Sequence, residues 1–185
     1  MGDQSNDRDR LFRILQTNAF FREKIILSSG KESDYYIDAR RVTLSPEGAY
    51  LGAKLILAMA KGEKIDAIGG PTLGADPLVG AIASLSFQEK IPVNTFIIRK
   101  APKPHGKQQQ IEGPLLKPGA SVILIDDVAT TGKAFIESFA VMHKEGFKVK
   151  KCICLVDRNE GGREALAKEG CSLEAIFNIS EFLNS

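Results

Sequence analysis

The central part of the chain alternates between short apolar runs and longer amphipathic stretches. The apolar runs predict strands, and these are Ile65–Ile68, Val93–Ile98, Ser121–Ile125, Val149–Val156 and Leu173–Phe177. Between them, helical spacing predicts helices that reach Leu85 and about Glu145, and one from Gly161 to Lys168. Alternating strands and helices are typical of an α/β domain, in which helices cover both faces of a parallel sheet.

The first 61 residues follow a different pattern. An amphipathic helix over 8–21 is predicted by apolar residues at helical spacing, namely Leu11, Ile14, Leu15 and Phe20. Lys24–Leu27 and Tyr35–Ala39 then predict two short strands around the turn-rich segment Ser28–Ser33. Ser45 before Pro46 is typical of a helix start, with Ser as the cap, so we expect a second helix to about Lys61.

Ligands of parallel α/β sheets bind beyond the carboxyl ends of the strands. The connections that leave those ends are polar, charged or rich in glycine, and they are Gly69–Asp76, Arg99–Pro118, Asp126–Lys133 and Asp157–Gly162. The strands before them are mainly apolar. We therefore expect the functional residues in these connections.

The segment after Ile125 is the most informative of them. Two carboxylates, Asp126 and Asp127, precede Thr130-Thr131-Gly132 and a predicted helix. Backbone N–H groups at such a turn converge on an anion, and threonine hydroxyls add donors, which predicts a phosphate cradle. The carboxylates suit ribose hydroxyls or outer-sphere contact with a divalent cation; the alternative is that they cap the helix. Position 127 is Asp and Ala follows the Gly-Lys pair, which excludes a Walker A loop, and no G-x-G-x-x-G occurs.

Charge is concentrated in one connection. Lys and Arg total 25 and Asp and Glu total 23, so the net charge of +2 does not indicate nucleic acid or an anionic membrane as a partner. Arg99–Lys107 holds four cations and no acid, which leaves 21 cations against 23 acids elsewhere. A long connection without predicted secondary structure suits a functional lid, and the alternative is a solvated basic loop.

Targeting signals and cysteine usage favour a cytoplasmic protein. No apolar run approaches 18 residues, and the polar start 1–7 lacks the apolar region of a signal peptide. Three cysteines cannot pair completely within one chain. Cys152 and Cys154 fall on one face of a predicted strand with no further ligand nearby for a metal site, so we expect apolar packing.

At this point the sequence resembles a known family. An apolar run, Asp-Asp and Thr-Thr-Gly resembles the 5-phosphoribosyl 1-diphosphate (PRPP) motif of the type I phosphoribosyltransferases. From about residue 10 to 182, further segments resemble orotate phosphoribosyltransferases: Ser29-Gly30, Tyr35-Tyr36-Ile37-Asp38, Gly69-Gly70-Pro71, Arg99-Lys100 with Lys103 and His105-Gly106, and Asp157-Arg158 with Glu160-Gly161-Gly162. The resemblance implies the type I fold in a single domain over 1–185, with a hood and N-terminal helix at about 1–40 and a core sheet at about 62–178.

The resemblance also implies a reaction and its residues. The phosphoribosyl group of PRPP would pass to orotate with Mg²⁺, giving orotidine 5′-monophosphate and diphosphate in pyrimidine (UMP) biosynthesis. Catalytic roles would fall to Lys103, His105 and Asp127. PRPP would be bound by these three and by Arg99, Lys100, Asp126, Val128, Ala129, Thr130, Thr131, Gly132, Lys133 and Ala134. Orotate would be bound by Tyr36, Ile37, Thr130 and Arg158.

Assembly and partners follow from the same resemblance. The lid with Lys103 and His105 would cover the site of the other subunit in a homodimer, without nucleic acid or membrane. Magnesium would be held mainly through PRPP, near Asp126 and Asp127. The alternatives are a phosphoribosyltransferase for another base, which would give no reason for Arg158, and a PRPP-sensing regulator, which needs a basic face or a DNA-binding domain. For Arg158 itself, the alternative to binding orotate is an ion pair with Glu160 or Glu164.

The chain departs from the family pattern at two single residues and in one short segment. Ser28 stands where many members have lysine, and Gly74 stands where some do. This chain therefore lacks two cations that would touch PRPP or orotate. Gln108–Gln110 stands where a glycine-rich run is common, so we expect a lid with a stiffer hinge.

Overall fold

The protein, seen here as a computed structural model, is described over residues 4–26, 32–102 and 109–185. The helices in these ranges are α1 (Gln4–Asn18), α2 (Arg40–Thr43), α3 (Pro46–Ala60), α4 (Asp76–Gln88), α5 (Lys133–Lys144), α6 (Gly162–Lys168) and α7 (Ile179–Leu183). The strands are β1 (Phe20–Phe21), β2 (Ile25–Ile26), β3 (Glu32–Ser33), β4 (Tyr36–Ile37), β5 (Ala67–Pro71), β6 (Asn94–Ile98), β7 (Ile111–Glu112), β8 (Ser121–Ala129), β9 (Lys148–Asp157) and β10 (Leu173–Asn178).

A six-stranded sheet in the order β10-β9-β8-β5-β6-β7 forms the centre. Its neighbouring strands are parallel except that β7 runs antiparallel to β6. The α/β class with a central, mostly parallel sheet is therefore confirmed. The edge strand β7 lies in the long polar connection and was not predicted, because two residues give no periodic pattern.

Helices cover both faces of this sheet, as the continuous apolar runs predict. Ile123 and Ile125 of β8 are fully buried in a cluster with side chains of α1, α3, α4 and α7. Val122 and Leu124, on the opposite face, are fully buried with side chains of α5 and α6. A strand with two buried faces needs apolar residues at successive positions rather than at alternate ones, and this explains its composition.

Two central strands are longer than predicted. β8 continues through Asp126 to Ala129, and β9 includes Asp157. The prediction ended both strands at their last apolar residue. Parallel pairing of β8 with β9 continues beyond that point, with Val128 opposite Val156 and Ala129 opposite Asp157. The acidic pair consequently lies within a strand, and the turn that follows is short.

The N-terminal segment forms two small antiparallel sheets apart from the central one, β1 with β4 and β2 with β3. The predicted helix over 8–21 ends earlier, at Asn18, because Phe20 pairs with Ile37 as a strand residue instead. Ser45 accepts a hydrogen bond from the Gly48 N–H at 3.2 Å, so the predicted cap of α3 is confirmed.

The three cysteines are buried as free thiols. Cys152 and Cys154 lie in one apolar cluster, on the face covered by α5 and α6, which confirms apolar packing. The Sγ atoms of Cys152 and Cys171 are 3.6 Å apart. Burial raises the pKa of the Cys154 thiol. Among the described residues, no helix has the length and apolar character needed to cross a membrane.

Glycine at position 70 is required by the pairing of β5 and β8. A β-carbon there would lie 1.9 Å from the backbone oxygen of Ile125, and neither strand can yield. We predict that Gly70→Ala lowers the free energy of unfolding by about 1–3 kcal/mol. A β-carbon at Gly80, within α4, would meet open space. Gly80→Ala is therefore predicted to raise the free energy of unfolding by about 1 kcal/mol. Urea unfolding of both variants checks this pair, and equal midpoints would contradict the packing described.

Candidate active site

Asp126 and Asp127 lie at the carboxyl end of β8, between β5 and β9. Asp126 is 7% exposed, and its Oδ1 accepts a hydrogen bond from the Asp127 N–H at 2.9 Å. The Oδ1 of Asp127 accepts one from the Val128 N–H at 2.8 Å. Each carboxylate is thus oriented by the backbone amide of the next residue.

Burial dominates the acid–base behaviour of this pair. Loss of water around the carboxyl group raises the pKa of Asp126 well above its usual range, and the neighbouring charge of Asp127 adds to the effect. Burial also raises the pKa of Asp127, while the Val128 amide and the Arg40 guanidinium oppose that shift. The pair therefore favours hydrogen-bond donors such as sugar hydroxyls, or a cation, as partners.

The turn after β8 ends in a helix start with no side chain capping it. Gly132 has a φ of 78° in the left-handed region, and α5 begins at Lys133 without a side-chain cap. The first N–H groups of a helix have no acceptor within it, and the helix dipole makes that end positive. Residues 130–134 thus present backbone donors without side-chain partners, and we refer to this segment as the candidate anion site. Because no side chain caps α5, the helix-cap alternative for the two aspartates is wrong.

A second turn packs against this one through glycine. A β-carbon at Gly162 would lie 2.7 Å from the backbone oxygen of Thr130, and one at Gly132 would lie 3.1 Å from Gly162. Two backbones at such a distance leave no room for a side chain. Gly162, at the start of α6, therefore lets the connection after β9 lie beside the candidate anion site.

That connection carries Arg158, which is 7% exposed. Its backbone N–H donates to the backbone oxygen of Ala129 at 2.9 Å, which ties it to the end of β8. Its guanidinium contacts Glu160 at 2.8 Å, so the predicted pairing with Glu160 is present. The same guanidinium lies 4.9 Å from the ring centroid of Tyr35, a residue that the sequence did not single out for this role.

The N-terminal segment supplies a further wall of the site. Tyr36 and Ile37 form β4, directly after Tyr35. Arg40 ion-pairs with Asp38 at 3.1 Å and interacts electrostatically with Asp127, and the Asp38 carboxylate raises the pKa of Arg40. Arg40 was not predicted from the sequence as a site residue, and the signal available was its position two residues after the Tyr-Tyr-Ile-Asp segment.

The predicted cations are only partly described. Arg99 follows β6, where its guanidinium contacts Glu112 at 3.3 Å and its backbone N–H donates to the Gln110 oxygen at 2.8 Å. Lys100 is exposed at the start of the same connection. Lys133 is exposed and contacts Glu137 at 3.8 Å. Lys103 and His105, and likewise Ser28, lie outside the described residues.

Gly74 brings the connection after β5 onto the acidic pair. A β-carbon there would lie 2.3 Å from Oδ1 of Asp126 and 2.4 Å from Oδ1 of Asp127. Glycine at this position therefore avoids a collision between a side chain and the two carboxylates.

Possible metal ligands and the cavities of the protein were compared with the position of the acidic pair. Within ranges 4–26, 32–102 and 109–185 no group of three or more His, Cys, Asp or Glu is arranged to hold a metal ion. Two hard carboxylates nevertheless fit Mg²⁺, which binds proteins through one or two carboxylates and keeps water or phosphate oxygens. A cavity of about 910 Å³ lies at the opposite edge of the sheet, with Lys54 and Ile65 in its lining, so cavity size alone does not locate this chemistry.

The fold and these residues match a known class of protein. Residues 48–183 match the family model described as a phosphoribosyl transferase domain. The orotate phosphoribosyltransferase of Aquifex aeolicus is 42% identical over 180 residues, covering 96% of this chain and 98% of the relative. That of Synechocystis is 41% identical over 174 residues, covering 94% and 87%. The chain belongs to the phosphoribosyltransferases and, within them, to the orotate phosphoribosyltransferase family.

Solved structures agree with this assignment. The crystal structure of Mycobacterium tuberculosis orotate phosphoribosyltransferase in complex with Fe(III) dicitrate has a TM-score of 0.82 and 31% identity, covering 95% of this chain and 98% of that chain. The same enzyme in complex with PRPP has a TM-score of 0.79 and 29% identity over equal shares. An adenine phosphoribosyltransferase from Thermoanaerobacter pseudethanolicus shares the fold alone, with a TM-score of 0.65 and 16% identity.

The burial of Asp126 leads to a prediction about how the free energy of unfolding depends on pH. Its pKa is raised on folding, so the folded protein binds more protons than the unfolded chain above about pH 4, and stability from this group falls as pH rises. Asp126→Asn removes the charge and retains the acceptor for the Asp127 amide. We predict that it raises the unfolding free energy at pH 7 by about 1 kcal/mol, since one pKa unit equals about 1.4 kcal/mol.

The gain should shrink as the pH is lowered towards 4, where the wild-type carboxyl group is neutral as well. Urea titrations of both proteins at several pH values measure this difference. A variant less stable than wild type at pH 7 would show that the carboxylate is stabilised by the fold.

Proposed function

We propose that the protein transfers the phosphoribosyl group of PRPP to orotate, forming orotidine 5′-monophosphate and diphosphate. One observation carries this function: the acidic pair of buried Asp126 and half-buried Asp127 lies one short turn before an uncapped helix start, and Arg158 is bonded to the same strand end. Hydroxyl recognition, phosphate binding and carboxylate binding then share one edge of the sheet. Membership in the orotate phosphoribosyltransferase family supports the same reaction.

The ribose phosphate part of PRPP fits the end of β8. Asp126 and Asp127 accept hydrogen bonds from the 2′ and 3′ hydroxyls, because their second oxygens are not used by the backbone amides that orient them. The 5′-phosphate lies in the turn and the first residues of α5, within the segment Val128, Ala129, Thr130, Thr131, Gly132, Lys133 and Ala134. The uncapped helix end and two threonine hydroxyls support this placement.

The base fits between the N-terminal segment and β9. Arg158 binds the orotate carboxylate, since a guanidinium can form two parallel hydrogen bonds with a carboxylate. The main chain at Tyr36 and Ile37 contacts the pyrimidine, and Thr130 approaches it from the turn. The contact between Arg158 and the ring of Tyr35 supports this, because it holds the start of β4 beside the guanidinium.

Catalysis consists mainly of stabilising the leaving group. The C1–O bond breaks with its electron pair going to diphosphate, and the N1 lone pair of orotate forms the new C1–N bond. Fixed cations lower the barrier as negative charge develops on diphosphate. Arg99, Lys100 and Lys103 supply that charge, and His105 donates a proton or a hydrogen bond.

Magnesium is proposed as the cofactor, held mainly through PRPP with Asp126 and Asp127 nearby. When bound, it would neutralise charge on the diphosphate oxygens. The hard oxygen donors of the acidic pair support this choice. A cytoplasmic location is proposed as well, supported by the three free, buried cysteines.

A homodimer is proposed, in which the lid of one subunit covers the site of the other. Two exposed leucines support a contact face beside the site: Leu44 is 71% and Leu73 is 58% exposed. They line a cavity of about 420 Å³ together with Asp38, Arg40, Arg41 and Ser45. An apolar pair next to Arg40, which interacts electrostatically with Asp127, fits an interface that a shared lid can cross.

The substrate assignment is tested with purified protein, PRPP and Mg²⁺. Loss of orotate absorbance is followed, with uracil, hypoxanthine and adenine as alternative bases. Turnover of orotate and none of the others is expected. If a control base is turned over and orotate is not, the protein is a phosphoribosyltransferase for another base. If PRPP binds and no base is turned over, the protein is a PRPP-sensing protein.

The lid is tested by Lys103→Ala. We predict that turnover falls by about two orders of magnitude while unfolding is unchanged, because a fixed cation near the leaving group acts in the transition state. Lys144→Ala, at the exposed end of α5, is the matched control and should retain activity.

Mixing Lys103→Ala with Asp127→Asn chains should restore activity in hybrid dimers. Wild-type rates for Lys103→Ala, or no recovery after demonstrated subunit exchange, would contradict a shared lid.

The contact face is tested by Leu73→Asp. One chain has a mass of 20.1 kDa, so light scattering should give twice that mass for wild type. We predict the single-chain mass for Leu73→Asp, since a buried charge opposes association. Leu115→Asp changes a leucine that is 92% exposed elsewhere and should leave the dimer intact. A dimeric Leu73→Asp would place the interface on another face.

A further inference from the structure

The guanidinium of Arg158 is held along one of its two hydrogen-bonding edges. Its Nε lies 3.3 Å from the hydroxyl oxygen of Tyr35, and its Nη2 lies 2.8 Å from Oε1 of Glu160. The Nε and Nη2 hydrogens point to the same side of the planar group. Tyr35 and Glu160 therefore contact the guanidinium at the two nitrogens that form its side edge.

The outer edge, formed by Nη1 and Nη2, is the one left for a ligand. A guanidinium has five N–H donors in a fixed plane, and a carboxylate accepts two parallel bonds from either edge. In the described part of the chain, Nη1 of Arg158 donates no hydrogen bond, whereas Nε donates one to Tyr35. With the side edge engaged, a substrate carboxylate can bind in a bidentate manner only at the outer edge.

Tyr35 is itself fixed in place. The Ser33 hydroxyl donates to the backbone oxygen of Tyr35 at 2.8 Å, and the Tyr35 ring lies 5.8 Å from the ring of Phe20. The ring also packs against the apolar cluster that includes α1 and α3. Its face lies 4.9 Å from the guanidinium carbon of Arg158, a distance at which a cation is attracted to an aromatic ring. Tyr35 thus contacts Arg158 with both its hydroxyl group and its ring.

We propose that Tyr35 is a positioning residue which, together with Glu160, fixes the side edge of the Arg158 guanidinium and so aims its outer edge at the carboxylate of orotate. This inference rests on the proposed function and deepens it, because it assigns the recognition of the carboxylate to a set of three side chains. Tyr35 touches Arg158 rather than the reacting atoms. Its contribution is to orotate affinity, not to the chemical step.

Three variants separate the contacts. Tyr35→Phe removes the hydroxyl and keeps the ring, Tyr35→Leu removes both, and Glu160→Gln removes the charge while retaining an acceptor. We expect the KM for orotate to rise about fivefold or more in Tyr35→Phe and further in Tyr35→Leu, and to rise in Glu160→Gln. The KM for PRPP and kcat should stay within twofold. Tyr50→Phe makes the same chemical change on α3, in the lining of the distant cavity, and should leave all constants unchanged.

Product inhibition distinguishes positioning from general damage. Orotidine 5′-monophosphate carries the carboxylate, and uridine 5′-monophosphate lacks it. Tyr35→Phe should weaken inhibition by the first compound about fivefold and leave inhibition by the second unchanged. Equal weakening of both would mean that Tyr35 only supports the fold and would overturn the inference.

Other outcomes are equally decisive. An unchanged KM for orotate in Tyr35→Phe and Tyr35→Leu would overturn the positioning role and leave the proposed function intact. A lower KM in Glu160→Gln would overturn it too, because Glu160 would then occupy the place of the substrate carboxylate. Absence of orotate turnover by the wild-type protein would overturn both proposals.

Discussion

Strand β8 is apolar and covered by helices on both faces, yet it carries the carboxyl groups of Asp126 and Asp127 near its carboxyl end. The other parts of the candidate site are arranged around this pair. Burial disfavours the charge on Asp126, while the Asp127 and Val128 amides hold both carboxylates in fixed directions. Burial does not stabilise the charge of such a pair, and the proposed ligand, with its hydroxyl groups and metal ion, would account for its presence. Stability is given up locally for a binding site, as is common at functional positions.

Backbone packing brings the remaining groups to this carboxylate pair. Gly74 lets the connection after β5 approach both carboxylates, and Gly162 lets the connection after β9 approach the turn at Thr130. A side chain at either position would push a binding segment away. Three connections thus meet at one edge of the sheet, which is why the proposed recognition of hydroxyl, phosphate and carboxylate groups falls within a single site.

The central sheet and the location of the candidate site could be predicted from the sequence. Apolar runs indicate the strands, and glycine-rich, polar connections indicate the edge of the sheet at which ligands bind. The extent of β8 could not be predicted, since Asp126 and Asp127 are poor strand residues and only pairing with β9 keeps them in the strand. The role of Arg40 beside Asp127 and the contact of Tyr35 with Arg158 depend on long-range packing. No local pattern reports a contact between residues 35 and 158.

The central claim is that the acidic pair binds ribose hydroxyls while the following turn binds the phosphate. Calorimetric titration with ribose 5-phosphate and 2-deoxyribose 5-phosphate tests it most directly, because the two ligands differ only in one hydroxyl group. We expect the deoxy compound to bind about tenfold more weakly, since a hydrogen bond to a charged group contributes about 1.5 kcal/mol or more. Equal affinities for the two compounds would contradict hydroxyl recognition by Asp126 and Asp127.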